Sequence, residues 1–172
     1  MTLILGIDPG SRKTGFGLVK VDGTRSLYIS SGIVRLPEKP LPERLDIIFS
    51  SLSDLIREYR PDQLAIEEVF FARDPRAALK LGQARGAAIL AGTQQGLPVF
   101  EYSARTVKQS VVGNGGASKE QVQHMVTRLL KLPATPREDA ADGLAVALCH
   151  IQTMSVRSRL PGLTGYARGR LK

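Results

Sequence analysis

The 172-residue sequence has few of the side chains that build zinc sites and disulfides. It contains one cysteine, Cys149, two histidines and no tryptophan. A lone cysteine has no partner for a disulfide, which is typical of a protein from a reducing compartment. His124 and His150 lack partners at zinc-binding spacing, so we expect both to be structural.

Long hydrophobic runs are also absent. No apolar run approaches the roughly 20 residues that a membrane-spanning helix needs, and no basic leader precedes the few apolar residues of MTLILGIDPG. We therefore expect a cytoplasmic protein that has no membrane partner. The length is that of one domain with a substantial core.

Positive charge is in excess and is unevenly distributed. The net charge is +8, from 24 Lys and Arg against 16 Asp and Glu, and residues 157–172 contribute five basic residues and no acid. We interpret 1–156 as one domain and 157–172 as a basic, flexible tail. Such a tail attracts phosphate irrespective of base sequence, but many proteins with other functions also end this way.

The hydrophobic pattern predicts an α/β fold. Three closely spaced alternating segments indicate an antiparallel meander, and a helix between two later strands indicates a parallel crossover. The predicted strands are 3–8, 14–23, 26–36, 63–70 and 98–102, and the predicted helices are 41–60, 75–95, 104–113, 119–132 and 138–154.

The helix predicted after Pro75 carries a stripe of small residues. Ala78, Gly82 and Gly86 recur at intervals of four, which lets another backbone approach closely. Two interpretations remain open: tight packing of this helix on the sheet, or a helix–helix contact between two subunits.

Four acidic residues interrupt apolar sequence in three motifs. Asp8 ends LILGID, Glu67 lies in LAIEEVF, and Asp139 and Asp142 lie in EDAADGLAVAL. Carboxylates are rarely buried unless they are paired or bind a metal, so this recurrence predicts one shared site. Oxygen ligands without Cys or His partners favour Mg²⁺ or Mn²⁺. Taken singly, Asp8 could be a turn residue and Glu67 an edge residue.

Strand alternation selects between neighbouring acids. It places Gly6 with Asp8 on one face of the first strand and Ala65 with Glu67 on one face of the fourth. Because each acid has a small neighbour, we expect a ligand to approach over Gly6 and Ala65, and we prefer Glu67 to Glu68.

Helical spacing relates the last two acids. Asp139 and Asp142 are three residues apart, which puts them on one helix face with Cβ atoms about 5–6 Å apart, where they repel each other unless a cation intervenes. Asp139 alone could instead be a first-turn acid that interacts with the helix dipole. Two divalent cations would neutralise the four carboxylates and are suited to phosphodiester hydrolysis.

Longer stretches of the chain resemble a known family. GIDPGSRKTGFG, IEEVF, KLGQARG, PVFEYSARTVKQSVVGNGGASKEQVQHMV, LLKLP, DAADGLAVA and ARGRLK are similar to the bacterial RuvC crossover junction endodeoxyribonucleases. The resemblance covers nearly the whole chain. It implies a ribonuclease H-like fold, with a five-stranded mixed sheet flanked by helices, and a homodimer that acts in DNA recombination and repair.

The same resemblance implies an activity and its partners. The expected reaction is Mg²⁺-dependent cutting of two like-polarity strands of a four-way DNA (Holliday) junction. We expect two ions per subunit, Mn²⁺ as a substitute, and 5′-phosphate and 3′-hydroxyl products. The branch-migration proteins RuvA and RuvB are the expected protein partners.

Residue roles follow from the matching motifs. The implied metal ligands and catalytic residues are Asp8, Glu67, Asp139 and Asp142. The implied DNA contacts are Lys108 and Lys119 near the scissile phosphate, Phe70 stacked on an opened base, and Arg73 and Arg76, with Lys80 and Arg85, along the DNA surface. From the sequence alone, a core phenylalanine and solvated lysines are the ordinary alternatives.

Other functional classes are compatible with parts of the sequence. GIDPGSRKTGFG also resembles the phosphate loop of actin-like ATPases, but these need a second related domain and a second loop. A ribonuclease H-like nuclease acting on structured RNA and a non-catalytic protein that binds branched DNA are the remaining alternatives. A four-way DNA junction offered beside a structured RNA would separate them.

Overall fold

The computed structural model describes residues 1–69, 74–159, 166–167 and 170–171. Phe70, Arg73 and most of the predicted tail therefore lie outside the described residues. The strands are β1 (Thr2–Asp8), β2 (Lys13–Asp22), β3 (Arg25–Arg35), β4 (Gln63–Glu67), β5 (Val99–Tyr102), β6 (Tyr166–Ala167) and β7 (Arg170–Leu171). The helices are α1 (Leu41–Tyr59), α2 (Pro75–Thr93), α3 (Ala104–Val112), α4 (Lys119–Leu129) and α5 (Glu138–Arg159).

A five-stranded mixed sheet forms the centre of the fold, in the order β3-β2-β1-β4-β5. The β1–β2 and β2–β3 pairs are antiparallel, whereas β1–β4 and β4–β5 are parallel. This arrangement confirms the predicted meander and the predicted parallel pairing across the helix. Within the described residues, β6 and β7 pair with each other in a separate two-stranded sheet.

Helices cover both faces of the sheet. On one face, α5 packs on β1 and β2 and is backed by α3 and α4. On the other, α1 and α2 pack over residues of β1, β2 and β4, including Leu5, Leu18 and Leu64. Among the described helices, none is both long and apolar enough to cross a membrane.

The approach of α5 to the sheet is close because the strands beneath it carry glycine. A Cβ atom at Gly6 would lie 2.5 Å from the backbone nitrogen of Ala147 and would also overlap the Gly143 carbonyl oxygen. One at Gly15 would overlap the carbonyl oxygen of Asp139. These contacts fix the start of α5 against the ends of β1 and β2.

Two expectations about small residues change in the structure. The space over Gly6 is filled by α5, so the prediction that a ligand approaches there was wrong. On α2 the buried small residues are Ala84, Ala88, Ala91 and Gly92. Gly82 and Gly86 are exposed and face open space, which removes packing on the sheet as the explanation for their spacing.

Candidate active site

Three elements bring the four predicted acids to one edge of the sheet. Asp8 is the last residue of β1 and Glu67 the last of β4, and these strands are parallel neighbours. The carboxyl ends of parallel strands share an edge. At the same edge, α5 begins with Asp139 in its first turn and Asp142 one turn later. Ala65 belongs to the α5-facing core, so the alternation of β4 also turns Glu67 towards α5.

The first two acids occupy an environment that disfavours their charged forms. Burial, followed by the charges of Glu67 and Asp142, raises the pKa of Asp8 to about 8. Burial and then Asp142 raise the pKa of Glu67 to about 7, against the opposing charges of Lys108 and Lys119. Raised pKa values from shared burial and mutual repulsion are typical of functional carboxylates.

The two predicted site acids of α5, Asp139 and Asp142, have basic partners. Burial raises the pKa of Asp142, while the nearby Lys119 opposes this shift. The Lys119 Nζ lies 3.6 Å from Asp142 Oδ2 and also contacts the Glu138 carboxylate. Asp139 Oδ2 lies 3.5 Å from Lys13 Nζ. Asp139 and Asp142 therefore each lie near one lysine ammonium group.

The donor set suits a hard divalent cation. All four side chains offer carboxylate oxygens, and their mutual repulsion would be relieved by a multivalent ion. In the described ranges, no three His, Cys, Asp or Glu side chains converge closely enough to hold one ion together. The carboxylates nevertheless lie near enough to one another that, in addition to burial, their charges raise the pKa values of Asp8, Glu67 and Asp142, and Lys119 compensates part of their negative charge.

The predicted DNA-contacting lysines lie at this site. Lys108 in α3 and Lys119 at the start of α4 both act electrostatically on Glu67. Ser118 places Lys119 by forming a capping box with Gln121 at the start of α4. A lysine in a helix's first turn opposes the helix dipole, so its contacts with Glu138 and Asp142 compensate an unfavourable position.

The arginines of α2 differ in their contacts. Arg76 is exposed, and its backbone N–H is capped by Asp74 at 2.9 Å. Arg85 is mostly buried: its Nε donates to the Glu67 carbonyl oxygen at 3.3 Å and its guanidinium pairs with Glu101. Arg85 therefore holds the end of β4 in place. Lys80 is exposed on the same helix.

Sequence reasoning missed three contributors: Lys13, Glu138 and the anchoring role of Arg85. Lys13 begins β2 directly after the turn that follows Asp8, so the hairpin geometry could have indicated that it returns to the acidic edge. Glu138 and Arg85 act through contacts between separate elements, for which the sequence contains no periodic signal.

A buried polar network holds the far part of α5 against β4 and β5. His150 is 1% exposed. Its Nδ1 lies 2.6 Å from the Tyr102 hydroxyl and its Nε2 lies 2.7 Å from Gln63 Oε1. Because Tyr102 is paired with Glu67 in the sheet, this network ties α5 to the strand region that carries Glu67. The expectation that His150 is structural is confirmed.

Comparison with known proteins identifies the family. The family model described as "Crossover junction endodeoxyribonuclease RuvC" matches residues 4–150. The chain belongs to the RuvC family. Membership makes the protein an endodeoxyribonuclease and implies a divalent-metal-dependent mechanism. The RNA nuclease and the non-catalytic binder are therefore not favoured.

Individual RuvC relatives match over full length. The chain is 59% identical over 172 residues to the RuvC crossover junction endodeoxyribonuclease of Saccharophagus degradans, covering 99% of each chain. It is 56% identical over 173 residues to that of Tolumonas auensis, covering 100% of each.

Solved structures agree with this assignment. The RuvC of T. thermophilus in complex with a Holliday junction substrate matches with a TM-score of 0.85 and 36% identity, over 91% of this chain and 96% of that one. The yeast mitochondrial Holliday junction resolvase Ydc2 matches with a TM-score of 0.66 and 10% identity, over 91% of this chain and 82% of that one. It shares the fold. The predicted ribonuclease H-like fold is thus confirmed.

Proposed function

We propose that this protein resolves four-way DNA junctions in recombination and repair by paired, symmetric hydrolysis of two opposed strands. The observation that carries the proposal is the meeting of Asp8, Glu67, Asp139 and Asp142 at one sheet edge, beside two lysines, in a chain of the RuvC family. In-line attack by water would leave 5′-phosphate and 3′-hydroxyl ends, which a ligase can seal.

The four carboxylates are the proposed metal ligands. Mg²⁺ suits them best because it prefers oxygen donors, and Mn²⁺ shares this preference. Two ions per subunit would balance the four negative charges. Metal ions bound there would supply an activated water and stabilisation of the leaving 3′ oxygen.

The chain's own residues position the DNA for this reaction. Lys108 and Lys119 provide positive charge on the side of the site formed by α3 and α4, where they can hold the scissile phosphate. The close packing of α5 on β1 and β2 keeps the carboxylates at fixed relative positions, which reduces the reorganisation needed during reaction. Phe70, Arg73 and Arg76 remain proposed DNA contacts.

We further propose a homodimer that forms through α2. Gly82 and Gly86 lie on its exposed face together with Leu79 and Leu90, which are 69% and 48% exposed. Glycines flanked by leucines allow two helices to pack closely. A two-fold dimer would place two identical sites on the opposed strands of a junction.

Enlarging the exposed glycines tests the dimer. A Cβ at Gly82 or Gly86 meets open space, so Gly82→Leu/Gly86→Leu should preserve the fold while blocking close helix packing. Light scattering should report dimers for the wild type and monomers for this variant. Arg128→Leu, at an exposed site on α4, is the control and should remain dimeric. A dimeric glycine variant would contradict an α2 interface.

Other expected properties rest on the family or on the composition of the chain. RuvA and RuvB are the proposed protein partners, the cytoplasm is the proposed location, and 1–156 with a basic tail remains the proposed domain division. The helix α5 continues to Arg159, three residues past that boundary.

Cleavage of defined substrates tests the function. The protein is incubated with a four-way junction, a linear duplex or a structured RNA, in Mg²⁺, Ca²⁺ or EDTA, and products are resolved at single-nucleotide resolution. We expect paired nicks at symmetric positions in the junction when Mg²⁺ is present. We expect none in the other two substrates, and none in Ca²⁺ or EDTA. Asp142→Asn should abolish them, and Asp54→Asn, at an exposed position, should not. Equal cutting of duplex or RNA would contradict the proposal.

A further inference from the structure

A second, strongly basic pocket adjoins the carboxylate site. It has a volume of about 550 Å³ and lies between the β1–β2 turn, the end of β3 and the start of α1. Because β3 is antiparallel to β2, its last residue lies at the same sheet edge as Asp8. Five cationic residues and one acid, Glu38, are in its lining; the cations are Arg12, Lys13, Arg35, Lys39 and Arg44.

Two of these cations have acidic partners. Lys39 Nζ lies 3.2 Å from Glu43 Oε2, and Lys13 Nζ lies 3.5 Å from Asp139 Oδ2. Over the described parts of the chain, no carboxylate forms an ion pair with any of the three arginines. The pocket therefore carries a local positive charge that the ion pairs of the described residues leave uncompensated.

The backbone geometry forces some of these cations together. Lys13 and Arg35 are directly opposite each other in the antiparallel β2–β3 pair. Like charges at opposed positions destabilise a strand pair. Asp139 compensates Lys13, but Arg35 has no such partner among the described residues. An anion in the pocket would remove this repulsion.

Arg44 provides a second, independent indication. Its Nη1 donates to the Ser11 carbonyl oxygen at 2.9 Å, which joins α1 to the turn after Asp8. Its Nε is buried and has no hydrogen-bond partner among the described residues. A charged donor left unsatisfied is costly, and an acceptor group drawn into the pocket would offset that cost.

We propose that Arg12, Arg35 and Arg44 form a subsite for a DNA backbone phosphate that flanks the phosphate being cut. Guanidinium groups match phosphate oxygens in geometry as well as charge. Lys13 lines this pocket and also contacts Asp139, so the two sites are contiguous. A strand entering the carboxylate site would then extend one neighbouring phosphate into the pocket. This inference rests on the proposed function.

The salt dependence of junction binding tests the subsite. Arg12→Ala/Arg35→Ala removes two charges and leaves the Arg44 anchor intact. Binding to a fluorescent four-way junction is measured by anisotropy between 50 and about 200 mM salt, in Ca²⁺. The slope of log K against log salt should fall by about 1, as expected for one lost phosphate contact. Affinity at low salt should fall at least tenfold.

A matched variant controls for net charge. Arg25→Ala/Arg57→Ala also removes two charges, from exposed arginines paired with Asp22 and Asp54. It should bind within twofold of the wild type with an unchanged slope. An unchanged slope for the pocket variant, or equal losses for both variants, would overturn the subsite. A wild type that binds junction no better than linear duplex would instead contradict the proposed function.

Neutral linkages locate the phosphate. Methylphosphonates are placed one at a time on either side of the cut position. One flanking position should weaken wild-type binding several-fold and should cause no further loss in Arg12→Ala/Arg35→Ala. Additive losses at every position would show that the pocket holds no backbone phosphate. Competition by millimolar inorganic phosphate without any methylphosphonate effect would indicate a site for free phosphate and would also overturn the proposal.

Discussion

Replacing Asp8 with asparagine should stabilise the metal-free protein at neutral and alkaline pH. Burial, followed by the charges of Glu67 and Asp142, raises the pKa of the Asp8 carboxyl in the folded state from 3.8 to about 8. Below about pH 4 Asp8 is protonated in both the folded and the unfolded state, and it adds no pH dependence to the stability. Between pH 4 and 8 Asp8 is ionised in the unfolded chain but protonated in the folded one, so the free energy of unfolding falls as pH rises. Asparagine cannot ionise and should avoid this loss.

The magnitude follows from the size of the pKa shift. A pKa difference of one corresponds to about 1.4 kcal/mol. The rise in the pKa of Asp8 from 3.8 to about 8 therefore destabilises the folded state by roughly 6 kcal/mol at most. The side chain is partly exposed, and solvent screens part of the effect. We therefore expect Asp8→Asn to gain about 3 kcal/mol at pH 8, which is about 6–12 °C in Tm for a chain of this size.

Urea unfolding in EDTA from pH 4 to 8.5, at one protein concentration, measures the effect. The stability difference between Asp8→Asn and wild type should grow with pH. Mg²⁺ at pH 8 should stabilise the wild type more than the variant, because a ligand stabilises the state that binds it. Asp54→Asn, at an exposed position, should change nothing measurable. The reasoning would be refuted if Asp8→Asn were only as stable as the wild type at pH 8, or if the difference in stability between them did not change with pH.

Two further predictions concern how α5 is held. Tyr102→Phe removes the 2.6 Å hydrogen bond to His150 and should lower the free energy of unfolding, measured in urea, by about 1–2 kcal/mol. The control Tyr28→Phe loses an exposed hydroxyl contact and should leave stability unchanged. Equal effects of the two variants would argue against the network. Gly15→Ala should abolish junction cleavage and lower Tm, because its Cβ would overlap the Asp139 carbonyl oxygen; full activity would contradict the close packing of α5.

The strand and helix order was predictable from the sequence because the pattern of apolar residues is strong in each element. Alternation also placed Glu67 on the same face of β4 as Ala65, which is the face that turns towards α5. The meaning of the small residues was not predictable in the same way. Gly6 and Gly15 could serve a ligand or a helix, and only the path of α5 decides between them.

The ionic contacts of the site required tertiary information. The charge on Lys119 is shared with Glu138 and Asp142 because the cap of α4 meets the first turn of α5. Lys13 reaches Asp139 because β2 begins beneath α5. Neither relation has a fixed spacing in the sequence. The basic pocket likewise depends on the pairing of Lys13 with Arg35, which is set by strand register.

Direct metal binding tests the central claim, that the four carboxylates form one metal site. Mn²⁺ binding is measured by electron paramagnetic resonance for the wild type, Asp8→Asn/Asp142→Asn and Asp54→Asn, at pH 8. The wild type and Asp54→Asn should each bind two ions per subunit, and the double variant should lose this binding. Unchanged binding by Asp8→Asn/Asp142→Asn, or no binding by the wild type with or without junction DNA, would contradict the account.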